Sequence, residues 1–396
     1  MWSQKLSLLF CGSDWHWGKC IPHSVHFERK QTISLKILTN KKILVISPEP
    51  WQHNLISKHH YAITLAKKDN VVFFLNPPSD KNLCSHTDYA NVFTIDYKPL
   101  VRGLNGLPGP LARFLAAFDI KRLFSLAKTE FDVIWSFDPY RFQFLDQFKA
   151  SVKIYFAADW HASRKNEGRL ANHAHLVLSP SRLLLDEIKT RTPRIFLNHA
   201  VEDYFFTEEV VTTVPGKQKF KVGYVGNLQS KFLDFDLLKN VVAFNPDCDF
   251  IFAGDDSGPF LETIKACKNV YFIGSLDNRI VPSFLKACEV LLLCYDTDKY
   301  RVEASNSHKI MEYLASGKSI VSTRMQEYKN FPELIFMPEE NSKLPELLKT
   351  VVNNLPECNS HAAREKRIKY ANQHTYDRQL IQIDRYLQEI RANFEG

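Results

Sequence analysis

Residues 306–323, NSHKIMEYLASGKSIVST, combine a helix start, a lysine, a glutamate one turn later and a glycine stop. Asn306 or Ser307 is suited to cap a helix running to Ser316, with Gly317 as its C-terminal stop. On that helix Lys309, Glu312, Tyr313 and Ser316 share one face, while Ile310, Met311, Leu314 and Ala315 supply the packing side. The first amides of a helix lack intrahelical partners and the dipole is positive there. A phosphate is therefore a natural ligand, with His308 and Lys309 beside it. Glu312, one turn further in, is placed to accept hydrogen bonds from both hydroxyls of a ribose. An ordinary surface helix with a Lys–Glu pair and a glycine cap would carry the same pattern.

A second candidate lies in KVGYVGNLQSKFLDFDLL, residues 221–238. A glycine after a buried strand lets backbone approach a phosphate, and a lysine nearby neutralises it, so Gly226, Asn227 and Lys231 form a group. A Gly-Asn turn by itself also marks a simple tight connection. Asp159 and His161 follow the run VKIYFAA, where a carboxyl or imidazole could orient an acceptor hydroxyl or contact a sugar. His59 and His60 offer the same chemistry on an earlier helical stretch, with Asp159 and His161 preferred. Helix capping and satisfied backbone groups account equally well for all four. Asp296-Thr297-Asp298 has the form of a metal-binding triplet, yet Asp234 to Asp236 and Asp247 to Asp249 repeat it, and solvated loop carboxylates are the expected reading.

Strand and helix alternate along most of the chain and thereby position these residues. KKILVISPEP, NVVFFLNPP, FDVIWSFD, VKIYFAAD, AHLVLSPS and PRIFLNHAV are short, continuous apolar runs of the kind that form buried parallel strands. Periodicity lapses between residues 206 and 219 and restarts with FKVGYVGNL, CDFIFAGDD, NVYFIGSL, EVLLLCYD and SIVSTR. The expected class is α/β: two doubly wound, Rossmann-like parallel sheets facing across a cleft, with ligands at the carboxyl ends of the strands. The expected boundaries are an irregular extension at 1–40, an N-terminal domain at 41–205, a linker at 206–219 and a C-terminal domain at 220–374. A terminal helix at 375–396 completes the chain.

A length of 396 residues favours two domains, and 45% hydrophobic with 24% charged residues is the balance of a soluble globular protein. The formal charge of +7 fits an acidic small-molecule partner and is too modest and scattered for nucleic acid. The run Arg364-Glu365-Lys366-Arg367-Ile368-Lys369 reads as a solvated helix face. Eight cysteines without paired spacing read as small buried hydrophobes in a reducing, cytoplasmic setting. No apolar run approaches the roughly 20 residues that span a bilayer. Gly106 to Lys128 mixes Leu and Phe with Arg and Lys, as a helix at a membrane surface does, although packing on the first sheet is the simpler expectation.

NSHKIMEYLASGKSIVS resembles the donor-site stretch of GT-B glycosyltransferases of family 4, the glycogen-synthase-like group. The resemblance extends through KVGYVGNLQSKFLDFDLL, NVYFIGSLDNRIVPSFLKACEVLLLCY, PRIFLNHAVEDYFF and ANQHTYDR, covering about Lys41 to Ile390. It implies a nucleotide-diphosphate sugar as substrate with no cofactor and no metal, transfer to an acceptor hydroxyl with retention, and a glycan or lipid-linked acceptor held by the N-terminal domain. Lys309 and Lys231 would meet the diphosphate, approached also by Gly226, Asn227, Ser307 and His308. Glu312 would hold the ribose, and Ile273 and Gly274 would border the base. Departures are Ala304, where the family carries a glutamate with Glu303 now one position away, Ala200 for a common glycine, and Glu289 and Cys294 for a usual Asp and Pro. An inverting relative, or a silent nucleotide-sugar-binding component of a polysaccharide assembly complex, remains open on these residues.

Overall fold

A computed structural model of the chain describes residues 36–159, 164–206, 213–255, 264 and 266–395. The apolar runs of the first half form the strands β1 (Lys42–Ile46), β2 (Val71–Leu75), β3 (Leu83–His86), β4 (Val92–Asp96), β5 (Val133–Ser136), β6 (Val152–Phe156), β7 (Leu176–Ser179) and β8 (Arg194–Phe196). They build one sheet in the order β3-β4-β2-β1-β5-β6-β7-β8. All neighbours are parallel except the edge strand β3, which runs antiparallel to β4. Successive residues of a strand point to opposite faces, and both faces are covered, which is why the runs are continuously apolar. Ile43, Val45 and Trp135 enter one core with Tyr61, while Leu44, Ile46 and Ile134 enter the other with Ile120. The described helices of this half are α1 (Ser57–Ala66), α2 (Gly109–Ala127), α3 (Arg164–Asn172) and α4 (Arg182–Glu187). Packing of α2 on its sheet is through Ala112, Ala116, Ile120 and Leu123, which leaves Leu111, Phe114 and Phe118 exposed.

The second sheet contains β9 (Phe220–Val225), β10 (Cys248–Ala253), β11 (Val270–Phe272), β12 (Val290–Leu293) and β13 (Ser319–Ser322), in the order β11-β10-β9-β12-β13. All its pairings are parallel. Strand order reverses at β9 and β12, the point where open α/β sheets bind ligands. Its described helices are α5 (Phe235–Phe244), α6 (Val281–Ala287), α7 (His308–Ser316), α8 (Leu344–Asn353), α9 (Leu355–Cys358) and α10 (His361–Asn372). Cys248, Cys288 and Cys294 are buried free thiols.

The basic run at 364–369 is not solvated throughout. Arg367 is 1% exposed and donates to the carbonyls of Gly317, Leu334 and Cys358 at 3.2, 3.2 and 2.9 Å. Because α10 packs across the C-terminal end of α7, one basic side chain must point inward, where it satisfies carbonyls that the helix ends leave open.

The chain crosses between the sheets twice at one place. Val201 donates to the His374 carbonyl at 3.1 Å and bridges Thr375, after which α11 (Tyr376–Glu395) returns to the first sheet. There Tyr376, Leu380, Ile383 and Leu387, spaced four, three and four residues apart, join the core of Ile43 and Val45. Residues 36–40 fall within the expected extension but are docked. The amides of Lys36, Ile37 and Leu38 all donate to the carboxylate of Asp384 on α11, at 2.9, 2.8 and 2.7 Å, and Leu38 is fully buried.

Candidate functional site

Three strand ends are laced into one rim. Gly226, just past β9, donates to Ala253 O at 2.9 Å, and Gly254, just past β10, donates to Gly274 O at 2.9 Å. Gly226 has φ +140°, a conformation that side chains rarely adopt, and a Cβ on Gly254 would overlap the Gly226 carbonyl. Asn227 is exposed, and its side chain closes the turn by accepting the Gln229 amide at 2.8 Å. Ile273 is half-buried, and Gly274, at φ +73°, has open space where a side chain would stand. Gly226, Asn227, Ile273 and Gly274 therefore share the carboxyl edge of the second sheet.

Helix α7 enters beneath this rim. Ser307 takes the N-cap position with extended backbone, yet neither of the expected side chains caps the helix. Asn306 instead reaches across to the first sheet, donating to Pro180 O and Asn198 Oδ1, both at 2.8 Å. Lys309 is 8% exposed and runs directly under Gly226: its Nζ lies 2.8 Å from the point a Cβ there would occupy. That ammonium donates to the Tyr295 hydroxyl at 3.4 Å. The Tyr313 hydroxyl accepts the Val225 amide at 3.3 Å and pins the helix to β9, and Gly317 ends it at φ +74°. The surface-helix alternative fails on burial, because within α7 only His308 is exposed and only Glu312 is half-buried.

Glu312 faces the cleft. The enclosing protein pushes its carboxyl up to about 7, against the pull of Lys309 and of His60 from the other half of the chain. The ring of His199, at the end of the first sheet, stands 6.1 Å from that of His308. Burial and the Lys309 ammonium hold His199 down to about 4. His60 pairs through Nδ1 with Glu202 and stacks on Tyr376 at 5.1 Å. Its neighbour His59 points inward instead. Nδ1 accepts the Ile56 amide at 3.2 Å, Nε2 donates to Pro50 O at 3.2 Å, the ring stacks on Phe74, and burial lowers it to about 4. His60 thus approaches the site, and His59 belongs to the packing.

No family model matches the chain. TuaH of Bacillus subtilis (strain 168), provisionally named a teichuronic acid biosynthesis glycosyltransferase, is 28% identical over 114 residues, or 28% of each chain. The match spans under a third of that relative. Solved structures match over far more of the chain. Sucrose-phosphate synthase from Thermosynechococcus elongatus superposes with a TM-score of 0.66 at 14% identity, over 89% of this chain and 100% of that one. Anabaena HepE in complex with UDP-glucose gives 0.59 at 16%, over 88% and 100%. WaaG, a glycosyltransferase involved in lipopolysaccharide biosynthesis, gives 0.58 at 11%, over 86% and 98%. The chain has the GT-B glycosyltransferase fold.

The two sheets meet in a cavity of about 290 Å³. Asp159 and Ser181 enter it from the first sheet, Lys231, Glu303 and Ser305 from the second, and His199 from the crossover. The Ser181 and Ser305 hydroxyls bond across it at 2.8 Å. Lys231 is exposed there, with Nζ 5.2 Å from the Phe232 ring and 5.8 Å from that of Tyr300. Ala304 is 1% exposed, whereas Glu303, one residue earlier, lines the cavity. His161 lies outside the described residues. His60 was a candidate for the acceptor, whereas His199 and Glu202, within PRIFLNHAVEDYFF, were not singled out. They arrive through the crossover, where no local spacing announces them. The aspartate triplets have local duties: Asp234 caps α5 through the Leu237 amide at 2.9 Å, Asp249 pairs with Lys221 at 2.6 Å, and Asp296 accepts the Lys299 amide at 2.9 Å.

Proposed function

We propose that this GT-B protein is a glycosyltransferase of glycan biosynthesis that moves a sugar from a nucleotide diphosphate to an acceptor hydroxyl, with retention and without a metal. The observation that carries the reading is the buried Lys309 ammonium held against the side-chain-free Gly226 at the start of α7, at the reversal point of the second sheet. As the bond from the anomeric carbon to the diphosphate breaks, negative charge collects on the leaving oxygens. Lys309, Lys231 and the first amides of α7, including those of Ser307 and His308, stabilise it, an effect commonly worth several kcal/mol. These cations fill the electrostatic role that a metal would take, which is the basis for metal independence; retention rests on the family resemblance.

Glu312 accepts the ribose hydroxyls, and Ile273 and Gly274 border the base. Asp159 shares its cavity with Lys231 and Glu303 and orients the acceptor, with His161 as the second candidate. HepE was solved with UDP-glucose, so UDP-sugars are the first donors to try. The names of TuaH and WaaG suggest a glycan or lipid-linked acceptor, reached from the cytoplasmic face of a membrane by peripheral contact. No described helix is long and apolar enough to cross one. Thermal shift with UDP-, GDP- and dTDP-sugars, followed by NMR of the product anomer with and without EDTA, tests the reading. Stabilisation of about 2.7 kcal/mol is expected at a hundred times the dissociation constant. A chain that none of these donors stabilises would refute it.

A further inference from the structure

On the polar side of the 290 Å³ cavity between the sheets, the donor protons are already spent. Ser305 Oγ donates to Val302 O at 2.6 Å, which leaves it to accept the Ser181 hydroxyl at 2.8 Å. Ser181 Oγ in turn accepts the Leu184 amide at 3.1 Å. A hydroxyl has one proton, so neither serine keeps one for a ligand. Asn306, 8% exposed, uses both amide protons on Pro180 O and Asn198 Oδ1. Pro180 O can only accept, which fixes the nitrogen on that side. Asn306 Oδ1 is buried and has no hydrogen-bond partner among the described residues, a costly state for a carbonyl.

The charges in the lining point the same way. Asp159 and Glu303 bring two carboxylates, which when ionised accept hydrogen bonds and donate none. His199, held low by burial and by the Lys309 ammonium, is neutral at pH 7 and adds no cation. Among the described lining residues that leaves Lys231, whose charge the diphosphate of a bound donor claims. With a nucleotide in place, the cavity therefore presents two negative charges and an unfilled carbonyl.

We infer that this cavity takes the sugar carried by the nucleotide, and that Asp159, Glu303 and Asn306 select one that donates hydroxyl protons and carries no carboxylate: a neutral or amino hexose, not a hexuronate. The inference rests on the glycosyltransferase reading for the nucleotide. One hydroxyl of such a sugar completes Asn306 Oδ1, and others meet the carboxylates in charge-assisted bonds. A hexuronate brings a third carboxylate with no proton to offer, and repulsion by the two already present rejects it.

Calorimetry at pH 8 with UDP, UDP-glucose and UDP-glucuronate tests this, with GDP, GDP-mannose and GDP-mannuronate in their place if the chain prefers guanosine. The hexose donor should bind roughly tenfold tighter than the hexuronate, or more. Glu303→Gln and Asp159→Asn keep the side-chain size and remove one charge each, and each should narrow that ratio by about threefold or more, chiefly by admitting the hexuronate. Asn306 also joins the two sheets, so its part is read in the ligand. Replacing single sugar hydroxyls by fluorine, which donates no proton, should cost about fivefold or more at one position at least. Equal or tighter binding of the hexuronate, a ratio unmoved in both folded variants, or tolerance of fluorine at every position overturns the inference. If no nucleotide binds, the glycosyltransferase reading fails and the sugar assignment falls with it; if the nucleotide binds and the sugars are not distinguished, the sugar assignment alone fails.

Discussion

Lys309 Nζ lies 2.8 Å from where a Cβ on Gly226 would stand, so the lysine occupies room that only glycine leaves open. Gly226→Ala should strain a backbone at φ +140° and push the ammonium aside. The strain alone costs about 1 to 3 kcal/mol, and nucleotide affinity should fall by more than tenfold. Lys309→Ala should weaken UDP far more than uridine, because its charge serves phosphate. Calorimetric titration of both variants checks this. Equal losses for UDP and uridine in Lys309→Ala would place the lysine elsewhere than at the diphosphate.

Glu312 has a sharper signature. Removal of a carboxylate that accepts two hydroxyls costs about 1.5 to 3 kcal/mol per bond, so Glu312→Ala should lose at least tenfold in donor affinity. A deoxyribose donor should discriminate little between parent and variant.

The same carboxyl predicts a pH dependence. Only the ionised form accepts both hydroxyls, and the cleft raises its pKa to about 7. Donor binding should therefore be strong above pH 7 and weaken as pH falls below it. UDP-glucose affinity should rise about tenfold from pH 6 to pH 8, and Glu312→Gln should flatten the profile. A flat profile in the parent would remove Glu312 from the ribose.

The grouping of Gly226, Lys309 and Glu312 was legible in the sequence because one helix and one strand end carry these residues, at spacings that local geometry enforces. The central strands were legible because burial on both faces forces continuous apolar runs. Strands β3 and β4 were not: β3 is a mostly exposed edge, so Leu83-Cys84-Ser85-His86 carries no burial signal, and β4 follows at once through Asn91, held at φ +61°. Arg367 read as solvated because its run is charged, while its burial depends on the distant carbonyls of Gly317 and Leu334. His59 and His60 are adjacent in sequence and opposite in fate, since neighbours on a helix face about 100° apart and only one can turn to the core.

His59 should make the protein acid-sensitive. Its folded-state pKa of about 4 lies below the unfolded value near 6.5, so between these the unfolded chain takes a proton that the folded one refuses. The neutral ring's contribution is present above pH 6.5 and lost as pH falls toward 4, by up to about 3 kcal/mol. Urea denaturation at pH 4.5 and pH 7.5 should show a smaller difference for His59→Gln than for the parent. An unchanged difference would mean that other groups, His199 among them, carry the acid response.

The two sheets are held together at Asn198, 4% exposed at the end of the first one. Its Oδ1 accepts Asn306 Nδ2 at 2.8 Å and the Tyr328 hydroxyl at 3.4 Å, its Nδ2 donates to the Tyr370 hydroxyl at 3.4 Å, and its carbonyl accepts Gln379 Nε2 at 2.6 Å. Asn198 thus joins the end of β8 to the loop entering α7 and to α10 through its side chain, and to α11 through its carbonyl. Arg182 and Glu327 tie the halves nearby, through the Arg182 amide at 2.7 Å and the guanidinium ion pair. Asn198→Ala takes a partner from the buried Tyr328 hydroxyl and from Tyr370 and Asn306, at about 1 to 3 kcal/mol for a group left unsatisfied, and these losses fall between the domains and not within either core. Thermal unfolding should accordingly separate toward two transitions, and small-angle scattering should show a larger radius of gyration. Donor affinity should also fall, although Asn198 touches none of the residues assigned to the nucleotide, because the Asn306 loop that it anchors sets the position of Ser307 and Lys309. A single, parent-like transition with unchanged scattering would show that the remaining ties, the Arg182–Glu327 pair and the crossover at Val201 and Tyr376 among them, fix the domains without Asn198.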